Sequence, residues 1–322
     1  MKNYSVALCT YNGAKYIIEQ LDSIVCQTVL PTQIVVSDDG STDGTMEIVD
    51  KYLSDKGIRY IVCKNQSAHG VTGNFMYAMN LCTEDVIFTS DQDDLWMPNK
   101  AERMLGVFES NPNALLVFSN GELVDANLNL LNCDVWSAVG ITHQRCREGD
   151  WFHYLLKNCL VTGACMALKK SLLDEIDDIP KEWLHDGWLA WAAVINNGLI
   201  PFPEKLIMYR QHGNNEVGMK PVYNIFSRFR SWLTNFDEIN EVRLIRYNRY
   251  IALQEKWKYK FSVSQQKELS DCIYFWGQLI DSVHLSIAKQ LSIVVFSYLR
   301  GYYNRYFVGF RGFVRDLCLI FR

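Results

Sequence analysis

The stretch VIFTSDQDD, residues 86–94, constrains the fold of this chain more than any other segment. Its first part is a continuous apolar run, which suits a parallel strand covered on both faces. Three carboxylates then follow within four positions, at Asp91, Asp93 and Asp94. Because unpaired carboxylates are costly to bury, the strand has to end before them. The acids therefore lie either in water or around a positive charge at the edge of the fold.

The first half of the chain alternates strand signals with helix signals. The strand-like runs are YSVALCTY, QIVVS, IRYIVCK and DVIFTS, and the helix-like runs between them are AKYIIEQLDSIVCQT, MEIVDKYLSD and GNFMYAMNLC. This alternation predicts an α/β fold with a mostly parallel, Rossmann-like sheet flanked by helices. Ligands of such sheets bind beyond the carboxyl ends of the strands. We therefore expect the acids at Asp38-Asp39 and at 91–94 to line one crevice.

The composition narrows the class of protein. The chain has 322 residues, of which 49% are hydrophobic, enough for one large domain or two smaller ones. Its ten cysteines are scattered and none forms a CxxC pair, so we expect reduced thiols in the cytoplasm and no zinc site. The sequence lacks an amino-terminal signal pattern and an apolar run of the roughly 18 to 20 residues that span a membrane. It also lacks a nucleic-acid-binding motif, so no nucleic acid partner is expected.

The two parts of the chain differ in charge. Residues 221–322 carry 15 Lys and Arg against 8 Asp and Glu, whereas the first 220 residues carry 17 against 28. We therefore expect an α/β domain at 1–219 and a helical carboxyl-terminal region at 220–322. Within 286–322, Tyr, Phe and Arg alternate as in a helix that lies on a membrane surface. A helical layer packed on the first domain, or a homodimer interface, explains the same pattern.

The acidic cluster has two explanations of its own. Carboxylates two residues apart at a strand end present hard oxygen ligands to Mg²⁺ or Mn²⁺, and such ions often complete their coordination with substrate phosphates. A solvated turn, followed by a helix that begins near Pro98, explains the same residues. A second acidic loop, VSDDGSTDGT at 36–45, favours the first explanation. A carboxylate at a strand end can accept hydrogen bonds from a nucleotide base or from ribose hydroxyls.

Three segments taken in order, VALCTYNGAKYIIEQLDSIVCQT, VVSDDGSTDGT and FTSDQDDLWMPNK, resemble the inverting family 2 glycosyltransferases of GT-A fold. The resemblance covers roughly residues 4–218. It implies a metal site in which Asp93 contacts the ion. The residues that it implies for binding the nucleotide or the donor sugar are Thr10, Tyr11, Asn12, Asp39, Asn74 and Asp91. Asn74 could equally be a residue of the helix surface.

The segment WLHDGWLAWAAV offers a base for the reaction that this resemblance implies. An acceptor hydroxyl must lose its proton as it attacks the anomeric carbon, and a positioned carboxylate can take it. Asp186 resembles the family's catalytic acid at the start of a helix, although it could instead only cap that helix. Trp188 is a candidate for stacking on an acceptor sugar, or a core residue.

The segment IMYRQHGNNEVG is similar to a YRxH segment of related proteins, in which a histidine completes the metal site. This places His212 at the metal and Arg210 near the diphosphate. A histidine together with carboxylates favours Mn²⁺ somewhat over Mg²⁺.

Taken together, these segments imply a metal-dependent inverting glycosyltransferase that acts on a glycan or a lipid-linked acceptor in cell-surface polysaccharide synthesis, of O-antigen or capsule. They are most similar to bacterial polysaccharide rhamnosyltransferases, which favours dTDP-L-rhamnose over UDP-hexoses as donor. The expected location is the cytoplasm, or the cytoplasmic face of the membrane as a peripheral protein. A sugar-nucleotide nucleotidyltransferase and a non-catalytic protein that keeps the fold are the alternatives.

Overall fold

The computed structural model describes residues 3–212 and 236–321. The chain separates into two compact units, each described by itself below. The sheet unit comprises Met1–Gly149, Leu160–Ile179 and Leu184–Met219, and the helical unit comprises Asp150–Cys159, Pro180–Trp183 and Lys220–Arg322. The boundary expected between 219 and 220 lies outside the described residues.

One mixed sheet organises the sheet unit. The described residues form nine strands in the order β3-β2-β1-β4-β8-β6-β9-β5, with β7 paired to β6. The strands are β1 (Ser5–Thr10), β2 (Gln33–Asp38), β3 (Arg59–Lys64), β4 (Val86–Ser90), β5 (Leu95–Trp96), β6 (Leu116–Val124), β7 (Leu130–Asp134), β8 (Met166–Lys169) and β9 (Leu199–Arg210). The strands β1 to β4 are mutually parallel, whereas β8 runs antiparallel to both β4 and β6. The α/β class is therefore confirmed, with a parallel half and a mixed half rather than a mostly parallel sheet.

Helices flank this sheet. Those of the sheet unit are α1 (Ile17–Val25), α2 (Thr45–Leu53), α3 (Val71–Leu81), α4 (Lys100–Ser110), α5 (Val135–Val139), α6 (His143–Glu148) and α8 (His185–Ile195). The helix between the last two, α7 (Trp151–Lys157), belongs to the helical unit. The first three connect the parallel strands, as a crossover between parallel strands requires. Helix α1 buries Ile17, Leu21 and Ile24, the face that its periodicity predicts.

The parallel strands bring their carboxyl ends to one edge. Every residue of β1, β2 and β4 is buried, as expected of strands covered on both faces. In the register of the sheet, Thr10 pairs with Asp38, and Leu8 pairs with Ser90. The loops that follow β1, β2 and β4 therefore leave the sheet side by side, which brings both acidic segments to the same edge.

The helical unit contains α7 (Trp151–Lys157), α9 (Phe236–Trp257), α10 (Val263–Asp281), α11 (Ile287–Leu299), α12 (Tyr302–Tyr306) and α13 (Phe310–Ile320). Its core is rich in aromatic side chains: Tyr250, Trp257, Phe275, Trp276, Tyr303 and Tyr306 are each at most 4% exposed. The expected helical character of the carboxyl-terminal region is thus confirmed. Across the described ranges, every helix is too short or too polar to cross a membrane.

A buried lysine, Lys100, joins the start of α4 to the middle of the sheet unit. It is fully buried, and its ammonium donates a hydrogen bond to the main-chain oxygen of Ala164 at 2.7 Å. The same group lies 4.3 Å from the centroid of the Trp96 ring. Burial lowers the pKa of Lys100 to about 8, although Cys165 and the nearby acids Asp94 and Asp91 act in the opposite direction.

Lys100 should make the stability of the fold depend on pH. Between about pH 8 and pH 10.5, the folded chain releases this proton while the unfolded chain keeps it, so stability rises with pH. We expect the unfolding free energy of the wild type, relative to Lys100→Met, to increase by on the order of 3 kcal/mol across this interval. Urea denaturation of both proteins at pH 7.5 and pH 10, with reductant, measures it. If the difference in unfolding free energy between the two proteins is the same at both pH values, the prediction is wrong.

Candidate functional site

Polar side chains meet where β1 and β2 end. The carboxylate of Asp38 is buried and accepts hydrogen bonds from the Thr10 hydroxyl at 2.7 Å and from the N–H groups of Gly40 and Ser41 at 3.0 and 2.7 Å. Gly40 has a φ of +100°, which glycine adopts without strain, so the chain can turn directly after the strand. The side chains of Thr10 and Asp38 therefore shape the loop from within.

The loop after β1 is fixed by Gln92, which lies between Asp91 and Asp93 in residues 91–94, called the DxD segment below. The Gln92 Oε1 accepts a hydrogen bond from Tyr11 N at 2.9 Å, and its Nε2 donates to Tyr11 O at 3.0 Å. Asn12 has a φ of +49°, and its Oδ1 accepts a hydrogen bond from Thr42 N at 2.9 Å. The main chain here is thus held in place, while the Tyr11 ring is 60% exposed.

Asp39 is a charged group held at the start of α3. Its Oδ1 accepts a hydrogen bond from Asn65 Nδ2 at 2.8 Å and lies 3.0 Å from His69 Nδ1, and its Oδ2 accepts one from Gly70 N at 2.7 Å. Burial acts to raise the pKa of Asp39, but these hydrogen bonds and the His69 charge outweigh it, so the pKa is lowered. A fixed carboxylate therefore stands at the edge where β1 and β2 end.

Asn74 lies within α3 and is only 3% exposed. Its Nδ2 donates hydrogen bonds to Ser37 O at 3.0 Å and to Thr10 O at 3.4 Å. The amide therefore ties α3 to the ends of β1 and β2, and it does not lie on the helix surface.

The three acids of the DxD segment have three different environments. Asp94 is 2% exposed, and its Oδ1 accepts a hydrogen bond from Arg210 N at 2.9 Å. Burial, followed by the neighbouring Asp93 and Asp91 carboxylates, raises the pKa of Asp94 well above its ordinary value. Asp93 Oδ2 lies 2.7 Å from His212 Nε2, and Asp91 is half-buried directly after β4. The burial of Asp94 thus favours its neutral form.

Arg210 links the DxD segment to α1 through hydrogen bonds of its guanidinium group. It is 2% exposed, its Nε donates a hydrogen bond to Asp93 O at 2.7 Å, and its Nη2 donates to Glu19 Oε2 at 2.5 Å. The guanidinium lies 4.5 Å from the centroid of the Tyr16 ring, which also stacks with His212 at 5.0 Å between centroids. The structure thus places Arg210 where it positions both Asp93 and His212.

Asp186 lies in the first turn of α8 and is linked to β4 through Gly163. Its Oδ2 accepts a hydrogen bond from Gly163 N at 3.1 Å, and its Oδ1 accepts one from Gly187 N at 2.6 Å. The Gly163 carbonyl in turn accepts a hydrogen bond from the Thr89 hydroxyl at 2.5 Å. Because Thr89 stands two residues before Asp91 in the chain, Gly163 connects the Asp186 carboxylate to the strand that carries the DxD segment.

The two ring-bearing neighbours of Asp186 are buried. Trp188 is 1% exposed, so its ring lies in the core and not on a face that a sugar can reach. His185 is 3% exposed and stacks on Phe75 with 4.2 Å between ring centroids. Burial lowers the pKa of His185, against the opposing effect of Asp186, which favours a neutral imidazole.

The pair Asp93 and His212 fits a divalent cation. A carboxylate oxygen and an imidazole nitrogen meet there, a donor set that suits Mn²⁺ and also accepts Mg²⁺. In the described part of the chain, no three or more His, Cys, Asp or Glu side chains form a group that could hold a metal. Two protein ligands suit a cation that takes its remaining ligands from phosphate oxygens and water.

Three residues that shape this site were missed by the sequence analysis. They are Thr89, Gln92 and Lys100. Gln92 could have been identified from the sequence, because it lies between two acids. Thr89 and Lys100 carried none, since a threonine near a strand end and a lysine at a helix start are ordinary surface choices.

Comparison with known proteins identifies the family of this chain. The model of glycosyl transferase family 2 matches residues 5–176, more than half of the chain. An uncharacterized glycosyltransferase of Nostoc is 27% identical over 218 residues, which are 66% of this chain and 65% of that protein. A dTDP-rhamnosyl transferase of Shigella flexneri is 28% identical over 224 residues, 66% of this chain and 73% of that protein. The chain thus spans about two thirds of the length of these relatives.

A solved structure shares the fold. The S. aureus TarS 1–349 structure in complex with UDP-GlcNAc has a TM-score of 0.53 and 18% sequence identity, over 94% of this chain and 92% of that one. The resemblance found in the sequence is confirmed by the family match. The chain belongs to the family 2 glycosyltransferases.

Proposed function

We propose that this glycosyltransferase moves a sugar from a nucleotide-diphosphate sugar to a hydroxyl group and inverts the anomeric centre, in the synthesis of a bacterial O-antigen or capsule. One observation carries the proposal: the Asp93–His212 pair and the Asp186 carboxylate are both joined to the end of β4. A single in-line displacement needs charge stabilisation at the leaving diphosphate and a proton acceptor at the attacking hydroxyl. A cation held by the Asp93–His212 pair would meet the first requirement, and the Asp186 carboxylate would meet the second.

The loops after β1 and β2 are proposed to hold the nucleotide. Tyr11 offers an exposed ring to a base, and Asn12 stands beside it in a fixed turn. The charged Asp39 can accept hydrogen bonds from the base or the ribose, since each carboxylate oxygen has two lone pairs. Thr10 and Asn74 support these loops from inside.

The diphosphate is proposed to lie at the DxD segment. Asp93 and His212 would hold Mn²⁺ or Mg²⁺, and Asp91 would contact the donor. When bound, such an ion supplies positive charge that neutralises the departing diphosphate. Arg210 keeps Asp93 and His212 in place, because its guanidinium is bound to the Asp93 main chain and its neighbour Tyr16 stacks with His212.

Asp186 is proposed as the base. The N–H groups of Gly163 and Gly187 each take one lone pair of its two oxygens, so the carboxylate is oriented and lone pairs remain for the acceptor proton. Burial lowers the pKa of the neighbouring His185 and favours its neutral form, so we propose Asp186 and not His185 as the base.

The donor is proposed to be dTDP-L-rhamnose, with UDP-hexoses as the second candidate. The first is supported by the dTDP-rhamnosyl transferase of Shigella flexneri, and the second by the UDP-GlcNAc complex of TarS. A growing glycan or a lipid-linked glycan is the proposed acceptor, on the cytoplasmic face of the membrane.

Asp186→Asn should separate donor binding from transfer. The amide keeps the size of the side chain but cannot accept the proton, so we expect transfer to fall at least about 100-fold. Donor affinity should stay within about twofold, because the nucleotide loops do not involve Asp186. Asp55→Asn, an exposed acid after α2, is the matched control. Unchanged transfer in Asp186→Asn would show that Asp186 is not the base, and absence of transfer in the wild type itself would favour a non-catalytic protein.

His212→Ala should change the metal preference of nucleotide binding. Removing the imidazole leaves carboxylate oxygens, which suit both Mg²⁺ and Mn²⁺, so the advantage that a nitrogen ligand gives Mn²⁺ is lost. We expect the Mn²⁺ concentration for half-maximal nucleotide binding to rise at least about tenfold, with a smaller change for Mg²⁺. The control is His284→Ala, a histidine exposed in the helical unit. If His212→Ala changes the half-maximal concentration equally for both ions, or changes it for neither, His212 is not the ligand that gives the site its preference for Mn²⁺.

A further inference from the structure

Helix α13 buries charged side chains and exposes apolar ones. Its buried side carries the charged pair Arg315 and Asp316, of which Asp316 is 1% exposed. The Asp316 carboxylate accepts hydrogen bonds from Arg315 Nε at 2.8 Å and from the Tyr303 hydroxyl at 2.9 Å, and it lies 3.0 Å from Arg243 Nη2. The inward face of α13 thus holds an ion cluster beside Gly312 and Leu319, where a helix of a globular protein usually places apolar residues alone.

The opposite side of α13 is apolar. Phe310, Val314, Leu317 and Phe321 follow one another at spacings of four, three and four residues, which places them on one face. Phe310 is 62% exposed and Phe321 is 67% exposed, while Val314 and Leu317 are half-buried. These four residues are called the apolar stripe below.

Helix α11 extends this surface. It packs beside α13 through Tyr298, whose ring stacks on Phe313 with 4.2 Å between centroids and lies 6.1 Å from Phe310. Leu299, one residue further, is 77% exposed, and Phe296 is 46% exposed. Large apolar groups that are exposed together are uncommon on a free protein surface and mark a contact site.

The exposed charges of this segment are positive. Lys289, Arg300, Arg305 and Arg311 are exposed, and Arg300 lies over the Phe296 ring at 4.9 Å from its centroid. Between residues 287 and 321, the only carboxylate in the sequence is Asp316, which is buried in the ion cluster. The exposed part of this segment therefore combines aromatic and aliphatic groups with cations and carries no side-chain carboxylate.

We infer that α11 and α13 rest on an anionic lipid surface, with the apolar stripe inserted at the level of the headgroups. Aromatic rings and arginines suit this boundary, because the rings enter the acyl region while the guanidinium groups stay with the phosphates. The helices lie in the plane of the membrane, which agrees with the absence of a spanning helix from the described ranges. The inference does not depend on the proposed donor or on the proposed base.

Co-sedimentation of the full chain with vesicles tests this inference. We expect binding to vesicles of phosphatidylglycerol and phosphatidylcholine, at least tenfold weaker binding to phosphatidylcholine alone, and weaker binding in 0.5 M salt because salt screens the charges. The double variant Phe310→Ser/Phe321→Ser should lose at least tenfold in vesicle affinity. The second variant, Arg300→Glu/Arg311→Glu, should lose the preference for phosphatidylglycerol.

The matched control is Tyr259→Ser/Val263→Ser, which removes two side chains that are 94% and 86% exposed but outside the apolar stripe. It should bind vesicles like the wild type. Circular dichroism and nucleotide affinity, measured on every variant, separate loss of folding or of the donor site from loss of lipid binding. Failure to bind either vesicle, or equal binding to both, would overturn the inference. So would a dimer in sedimentation velocity that Phe310→Ser/Phe321→Ser dissociates, since a second copy would then cover the stripe.

Discussion

Crowding of negative charge at the end of β4 is the constraint on which the rest of the sheet unit depends. Three carboxylates cannot all stay charged and unpaired at the edge of a buried strand. The fold resolves this by giving each a separate environment: Asp94 is buried with a raised pKa, Asp93 faces His212, and Asp91 is half-buried. The pairing of Asp93 with an imidazole brings together the two side chains that are proposed to hold a cation.

A short turn around Gly163 links this charge to the proposed base. The Gly163 carbonyl accepts a hydrogen bond from Thr89 in β4, its N–H donates to Asp186, and the next carbonyl, of Ala164, accepts from the buried Lys100. A Cβ at Gly163 would lie 3.0 Å from His185 Nε2, which is closer than a side chain normally comes. A larger residue at position 163 would therefore have to displace the buried His185 ring, and the turn with its glycine holds Asp186 at a fixed place relative to β4.

The sequence predicted the elements whose signals are local. The continuous apolar runs gave the buried strands, and the order of strands and helices gave the parallel half of the sheet and its acidic edge. The antiparallel β8 was beyond reach, because its partners β4 and β6 are distant in the chain. The buried positions of Lys100 and Asn74 were equally hidden, since burial of a single polar side chain follows from long-range packing, whereas for Trp188 the sequence left a core position and a sugar contact both open. The sequence of α13 has the pattern of an ordinary amphipathic helix. Only the packing shows that its charged residues Arg315 and Asp316 are buried while Phe310 and Phe321 are exposed.

The central claim is that the end of β4 binds a nucleoside diphosphate together with a divalent cation. Calorimetric titration of dTDP, UDP and GDP into the wild-type protein, each with and without Mn²⁺, tests it most directly. We predict heat of binding for one nucleotide, dTDP first, and at least tenfold weaker binding without Mn²⁺. Binding of none of the three, or the same affinity with and without the ion, would contradict the claim.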